Sequence, residues 1–345
     1  MLALAVAIAL PLPLAACGKK HTTATTTAAA AATTTTSVKG RAAQTSDVFS
    51  RIPSIVTAVQ PEVVTVLPPQ GVGSGVIYRS NGVILTNDHV VHGHSTVEIA
   101  FADGRRLPGK VLAADSATDL ALVKVDRRGL PAASFQSKLP AVGSLAVVLG
   151  SPLGFDKSVS AGIVSGLHRS IPGSARDTAA LVDLLQTDAP ISPGNSGGAV
   201  VNSEGRVIGI SEAYIPPQQG AVAIGFAIPA ATAVSVADQL LRHGRVEHAF
   251  IGIQPAELTP QLAQALQIAR STGVLVYGVE PSGPADRAGI EPGDVLVKLG
   301  SEPLESVEDL FAALRHHRPH ETVAIALVRS GAEHVVDVRL AATPD

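Results

Sequence analysis

The sequence predicts a mainly β protein, with an all-β barrel or sandwich domain followed by a smaller α+β unit. Three observations carry that expectation. From Pro61 to about Ile228, short Val-, Ile- and Leu-rich runs alternate with Gly, Pro, Asn or Asp. No helical pattern separates these runs, as a parallel sheet would require, so a barrel or sandwich follows. A helical stretch from Pro229 to Leu241 then closes at Gly244, a residue suited to a C-terminal cap, and a second β-rich unit runs from about Phe250 to Ala341.

Taken in order, Asp47 is placed to cap a short helix through Ala58, which Pro61 ends. Strands are expected at Val63–Leu67, Gly75–Tyr78, Val83–Thr86, Val97–Phe101, Leu120–Val125, Leu145–Leu149, Val200–Asn202 and Val207–Ile210. In the second unit, helical patterning is confined to Pro260–Ile268 and Ser306–His316. The boundary falls near residue 246, which gives domains over 47–245 and 246–345.

The chain has 345 residues, enough for about two domains. Its 26 basic and 29 acidic residues are interspersed, so no basic patch points to nucleic acid as a partner. Trp is absent, which leaves Val, Ile, Leu and Ala to fill the cores. The one cysteine, Cys17, excludes an internal disulfide and a cysteine-based zinc site. It follows the apolar run Leu2 to Ala16, and Leu14-Ala15-Ala16-Cys17-Gly18 resembles the bacterial lipobox. That resemblance implies export, with segment 1–17 as the signal and a lipid on Cys17 anchoring the protein at the outer face of the membrane or in the periplasm. The run is shorter than the roughly 20 residues that span a bilayer, and Pro11 and Pro13 interrupt it. Residues 18–46 form a linker, almost wholly Thr and Ala from His21 to about Ser37. Such a tract has little to bury and is expected to be a flexible spacer.

Gly194-Asn195-Ser196-Gly197-Gly198 is the strongest chemical signal. A serine between glycines can sit on a tight, exposed turn with backbone N–H groups free to face a ligand. The string also satisfies G-x-S-x-G, but that nucleophile elbow needs a helix after the serine, whereas a further strand follows here. His89 stands just after the strand Val83–Thr86, and Asp119 opens Leu120–Val125, with Asp115 as the rival acid. The order His, Asp, Ser is that of a chymotrypsin-type triad. His92 and His94 lie near His89, but no carboxylate or cysteine motif beside them completes a metal shell, so no metal and no other cofactor is implied.

These residues resemble the HtrA/Deg family of serine proteases over about residues 48–345. The resemblance implies a chymotrypsin-like double β-barrel followed by one PDZ domain. It also implies Ser196 as nucleophile, His89 as general base and then acid, and Asp119 as the group that orients the imidazole. The backbone N–H groups of Gly194 and Ser196 would form the oxyanion hole. Ile191, Ile224 and Phe226 would surround the primary pocket, and Pro190 stands where basic-specific enzymes of this class carry Asp. Cleavage after small or medium aliphatic residues is therefore expected.

Phe250-Ile251-Gly252-Ile253 resembles the carboxylate-binding loop of PDZ domains, where a peptide C-terminus adds as a strand. The resemblance implies an ATP-independent endopeptidase for misfolded envelope proteins. Its partners would be damaged proteins and their C-terminal peptides, and it would form a homo-oligomer, often a trimer. Two other functions remain open from sequence: a holdase dominated by its PDZ domain, and a regulatory protease with a single signalling substrate.

Overall fold

The computed structural model describes residues 48–150, 158–172, 180–215, 224–265, 268 and 270–343. Cys17, the Thr/Ala-rich linker and Asp47 lie outside the described residues. A 3₁₀ turn at Val48–Arg51 leads into α1 (Ile52–Val59), so that helix begins later than an Asp47 cap would place it. Pro61 then sits in a second 3₁₀ turn, Gln60–Glu62.

The first barrel comprises β1 (Val63–Leu67), β2 (Gly73–Arg79), β3 (Val83–Thr86), β4 (Thr96–Ala100), β5 (Arg106–Asp115) and β6 (Leu120–Val125). It closes in the order β1-β2-β3-β6-β5-β4, and the short α2 (Asp88–Val91) follows β3. The second barrel comprises β7 (Leu145–Gly150), β8 (Ser158–Pro172), β9 (Ala180–Thr187), β10 (Ala199–Val201), β11 (Val207–Ile215) and β12 (Ile224–Pro229). It closes as β10-β11-β12-β9-β8-β7.

Burial explains why many of these strands read as unbroken apolar runs. Ile84 joins a core made by first-barrel residues alone, with Val64, Val66, Ile77, Ile99 and Val123. Its neighbours Val83 and Leu85 face the other way, into a core shared with Leu145, Val147, Leu184 and Phe226 of the second barrel. Side chains alternate between the faces of a strand, so a strand buried on both sides must be apolar at every position. The same shared core receives Ile55 and Val59 of α1, and Ala233, Val236, Ala237 and Leu240 of α3 (Ala230–His243). Gly244 caps α3 with φ 71°, as its sequence position suggested.

Three strands were not legible in the sequence. β5 carries Pro108 and Gly109 and is exposed at alternate positions, so it reads as a loop. β8 and β9 pair with repeated register shifts, and each bulge breaks the period-two signal.

The C-terminal region matches the expected α+β character. It contains β13 (Ala249–Phe250), β14 (Ile253–Glu257), α4 (Pro260–Ala265), β15 (Val274–Val279), α5 (Pro284–Arg287), β16 (Val295–Leu299) and β17 (Glu302–Pro303). There follow α6 (Val307–Arg315), β18 (Thr322–Arg329), β19 (Ala332–Arg339) and β20 (Ala341–Ala342). The sheet order is β14-β15-β16-β18-β19, which leaves β14 at an edge. Ser306 and Asp309 form a reciprocal capping box that fixes the start of α6. Leu310, Ala313 and Leu314 of α6 pack into this region's own core with Val276, Leu296 and Ile325.

The end of α6 docks on the barrels. Arg315 donates from Nη1 to the carbonyl of Val182 at 2.7 Å and from Nη2 to that of Ala117 at 2.5 Å. Beside it, His316 Nδ1 lies 2.8 Å from Glu302 Oε1, and Nε2 lies 3.7 Å from Asp183 Oδ2. These carboxylates, Asp183 foremost, push the His316 pKa up to about 9.

A raised imidazole pKa favours the folded chain fully below the ordinary value of 6.5, and that contribution is lost as pH rises through about 9. The melting temperature of the wild type should therefore fall more between those pH values than that of His316→Gln. The difference should be small, since the imidazole is half-exposed. Parallel melting curves for the two proteins would contradict it.

Candidate active site

Two separated segments bring His89 and Asp119 together, and a third carries Ser196. His89 sits on α2, directly beyond β3, and Asp119 immediately precedes β6, the strand paired with β3. The carboxylate of Asp119 engages His89 twice. Oδ1 accepts from the backbone N–H of His89 at 2.8 Å, and Oδ2 lies 2.5 Å from Nδ1. Asp119 is 7% exposed and adopts φ 53°, a left-handed conformation that Asp tolerates better than most residues. The Asp119 carbonyl accepts from Asp88 N and from Asn87 Nδ2, which pins the same peptide. Asp115 is engaged elsewhere, by Thr118 and by His248 Nε2 at 2.8 Å.

Ser196 lies in a turn between β9 and β10, braced against the first barrel. Ser74 N donates to the Ser196 carbonyl at 2.8 Å, and Ser74 Oγ to that of Gly194 at 2.7 Å. Gly194 and Gly197 have φ 93° and 84°. The N–H groups of Asn195, Gly197 and Gly198 donate to Ser192, Ser211 and Asn195 carbonyls. Among the described residues, those of Gly194 and Ser196 donate to no backbone carbonyl. The Ser196 hydroxyl itself donates to the carbonyl of Glu212 at 2.9 Å rather than to the imidazole.

Gly197 makes a sharp test of this packing. A Cβ there would lie 2.2 Å from the Ser74 carbonyl oxygen and 2.5 Å from Thr86 Oγ1, in a backbone conformation that already strains an L residue. Gly197→Ala should therefore shift the serine turn and lower peptide cleavage by at least about 100-fold, as small displacements of reacting groups do. Activity within tenfold of wild type would show the turn to be pliable.

The structure adds a residue that the sequence reading missed. Glu212, on β11, is 6% exposed, and its Oε1 lies 3.8 Å from His89 Nδ1. Its Oε2 accepts from Asn87 Nδ2 at 2.7 Å. Burial first, and the charge of Asp119 second, push its pKa well above the usual carboxylate range. Its signal was a lone acid two residues past the apolar run Val207-Ile208-Gly209-Ile210. His89, Asp119 and Glu212 place donor atoms within 4.8 Å of one another, the one such group among the described residues. Asp119 Oδ2 bonds His89 Nδ1 and Glu212 Oε2 bonds Asn87 Nδ2, so the arrangement is suited to moving and holding protons.

The pocket residues are only partly assembled. Ile191 packs on Gly225, where a Cβ would lie 2.8 Å from its Cδ1, and shares a second-barrel core with Ala227. Ile224 and Phe226 alternate to the opposite face of β12, against the core shared by both barrels. In the C-terminal region, Phe250 lies on β13, Ile251 is buried, Gly252 turns the chain with φ 79° and Ile253 opens β14. Glu280 N and Ala285 N donate to the carbonyls of Gly252 and Ile251, which holds the turn in place.

Comparison with known proteins agrees with this geometry. The trypsin-like peptidase domain family matches residues 73–210, and the PDZ domain family matches residues 249–340. Over 290 residues the chain is 39% identical to a Synechocystis protein named as the serine protease HhoB, covering 80% of this chain and 68% of that one. This chain belongs to the HtrA/Deg family of serine proteases. A periplasmic DegP-like serine endoprotease of Rhizobium meliloti is 36% identical over 280 residues, which cover 81% of this chain and 55% of that protein's length. The HtrA-type protease AlgW, solved with a tripeptide, superposes with a TM-score of 0.70 at 32% identity, covering 85% of this chain and 97% of AlgW. A serine endoprotease from Yersinia pestis matches with a TM-score of 0.64 at 32% identity, covering 85% of this chain and 98% of that one. As an HtrA-type chain it has two six-stranded barrels followed by a PDZ region.

Proposed function

We propose that this HtrA-type protein is an ATP-independent serine endopeptidase of the cell envelope that degrades misfolded or damaged proteins. The observation that carries this reading is the Asp119–His89 pair, held beside the serine turn by hydrogen bonds between the two barrels. In the reaction, Ser196 Oγ attacks the scissile carbonyl carbon as its proton passes to His89 Nε2. To do so, the hydroxyl must leave the carbonyl of Glu212. Asp119 holds Nδ1–H and stabilises the imidazolium, while the N–H groups of Gly194 and Ser196 receive the charge that develops on the substrate oxygen. His89 then returns the proton to the leaving amine, and water releases the acyl group by the same route in reverse.

Ile191 against Gly225 supports a preference for small or medium aliphatic residues before the cut bond. The edge position of β14 supports strand addition by a peptide C-terminus, its carboxylate meeting the Phe250–Ile253 turn. AlgW, a fold relative, was solved with a tripeptide and with a decapeptide. Periplasmic placement, which the DegP-like relatives carry in their names, a lipid anchor on Cys17 and a trimeric assembly complete the proposal. Casein digestion by residues 38–345 without nucleotide, compared with Ser196→Ala, tests it. Undiminished cleavage by the variant would refute it.

A further inference from the structure

We propose that Glu212 is a positioning residue of the protease site, donating a proton-bearing carboxyl oxygen to Asp119 and so aiming that carboxylate at His89. The inference rests on the reading of His89, Asp119 and Ser196 as the catalytic set. Geometry distinguishes the two oxygens of Glu212. Oε2 accepts from Asn87 Nδ2 at 2.7 Å, so it is the carbonyl-like oxygen. Oε1 is turned to the Asp119–His89 contact, 3.8 Å from Nδ1. The ligand atoms of Glu212, Asp119 and His89 lie within 4.8 Å of one another, and a hydrogen bond between two carboxyl groups needs one proton between them, so Glu212 bonds Asp119 in its neutral form.

The surroundings favour that form. The titratable groups facing Glu212 are Asp119, ahead of β6, and His89 on α2. The end of β3 contributes only the neutral amide of Asn87, and the Ser196 turn contributes the hydroxyl bonded to Glu212's own carbonyl. Among the described residues, no Lys or Arg reaches Glu212 within ion-pair distance. A 6% exposed carboxyl beside an existing carboxylate, with no cation of its own, keeps its proton well past the usual range, as paired acids do.

His89 N–H and the imidazole hold Asp119 from two sides, and the proposed bond from Glu212 holds it from a third. Ionising Glu212 would replace its donor by a second negative charge against Asp119, and the repulsion would turn the orienting carboxylate away from Nδ1. Activity should therefore fall on the alkaline side as Glu212 loses its proton.

The test uses the full chain and kcat, KM and pH profiles on a peptide substrate. Glu212→Gln keeps the shape and one N–H donor but cannot ionise. Its alkaline decline should vanish, with kcat at neutral pH reduced by less than about tenfold. Glu212→Leu fills the space without a donor and should lose about 10- to 100-fold in kcat at nearly constant KM, the cost of one hydrogen bond to a charged group. A Glu212→Gln profile superimposed on that of the wild type, or a Glu212→Leu enzyme as fast as the wild type, would overturn the inference.

Imidazole N–H resonances of ¹⁵N-histidine-labelled protein give a readout independent of turnover. The His89 Nδ1–H signal should disappear at lower pH in the wild type than in Glu212→Gln, and identical behaviour would also overturn the inference. If the wild type hydrolyses nothing while the resonances shift as described, the proposed function fails and the placement of the Glu212 proton stands.

Discussion

Ser196→Ala should reduce casein turnover by about a millionfold, the loss seen when an activated serine is removed from a working triad. The substitution deletes one oxygen and little else. Among the described residues that hydroxyl makes a single hydrogen bond, to the Glu212 carbonyl, so its removal should cost at most about 1 kcal/mol of stability. The turn around it is held independently, by Ser74 N and Oγ on the carbonyls of Ser196 and Gly194. Loss of activity with an unchanged melting temperature therefore isolates the chemistry from the fold. His89→Ala should fall by a similar factor, and the double variant hardly further, because nucleophile and base act as one unit. Turnover by Ser196→Ala within tenfold of wild type would mean that another group performs the attack.

The barrels were legible in the sequence where burial leaves a simple pattern. Val83–Thr86 and Leu120–Val125 are apolar at nearly every position because each is covered on two faces, and both strands occur with the expected bounds. β5 was hidden by Pro108 and Gly109, and β8 by bulges, since period-two reading assumes uninterrupted pairing. The candidate triad positions stood out in the sequence because Gly-rich and His-containing motifs are local. Glu212 did not, because a carboxyl just past an apolar run reads as solvent-facing until the tertiary structure brings Asn87, His89 and Asp119 around it. The pocket shows the same limit. Ile191, Ile224 and Phe226 are near in sequence to the serine or to β12, but the side-chain alternation of β12 sends Phe226 away from Ile191. Likewise Asp115 and Asp119 look interchangeable in sequence, and only the packing of His248 and His89 separates them.

Asp119→Asn should fold normally and lose about four orders of magnitude in kcat, the loss that follows when a triad imidazole is held in the wrong tautomer. Asn tolerates the left-handed backbone at φ 53° about as well as Asp, so no new strain is introduced there. The carboxylate, however, accepts at both oxygens, from His89 N–H and at Nδ1. An amide has one acceptor and one donor end, and neither orientation satisfies both contacts. With its oxygen toward Nδ1, its NH₂ meets the backbone N–H of His89, donor against donor. With its NH₂ toward Nδ1, that nitrogen must accept, the ring proton moves to Nε2, and Nε2 can no longer take the proton of Ser196. The backbone contact is the more rigid of the two, so the second orientation should prevail. The kinetic signature is a fall in kcat at nearly constant KM, since the amide does not touch bound peptide. It is measured with a peptide carrying an aliphatic residue before the cut bond. A loss of tenfold or less would show that His89 is oriented chiefly by Glu212, and Asp119→Asn/Glu212→Leu would then have to be far slower than either single variant.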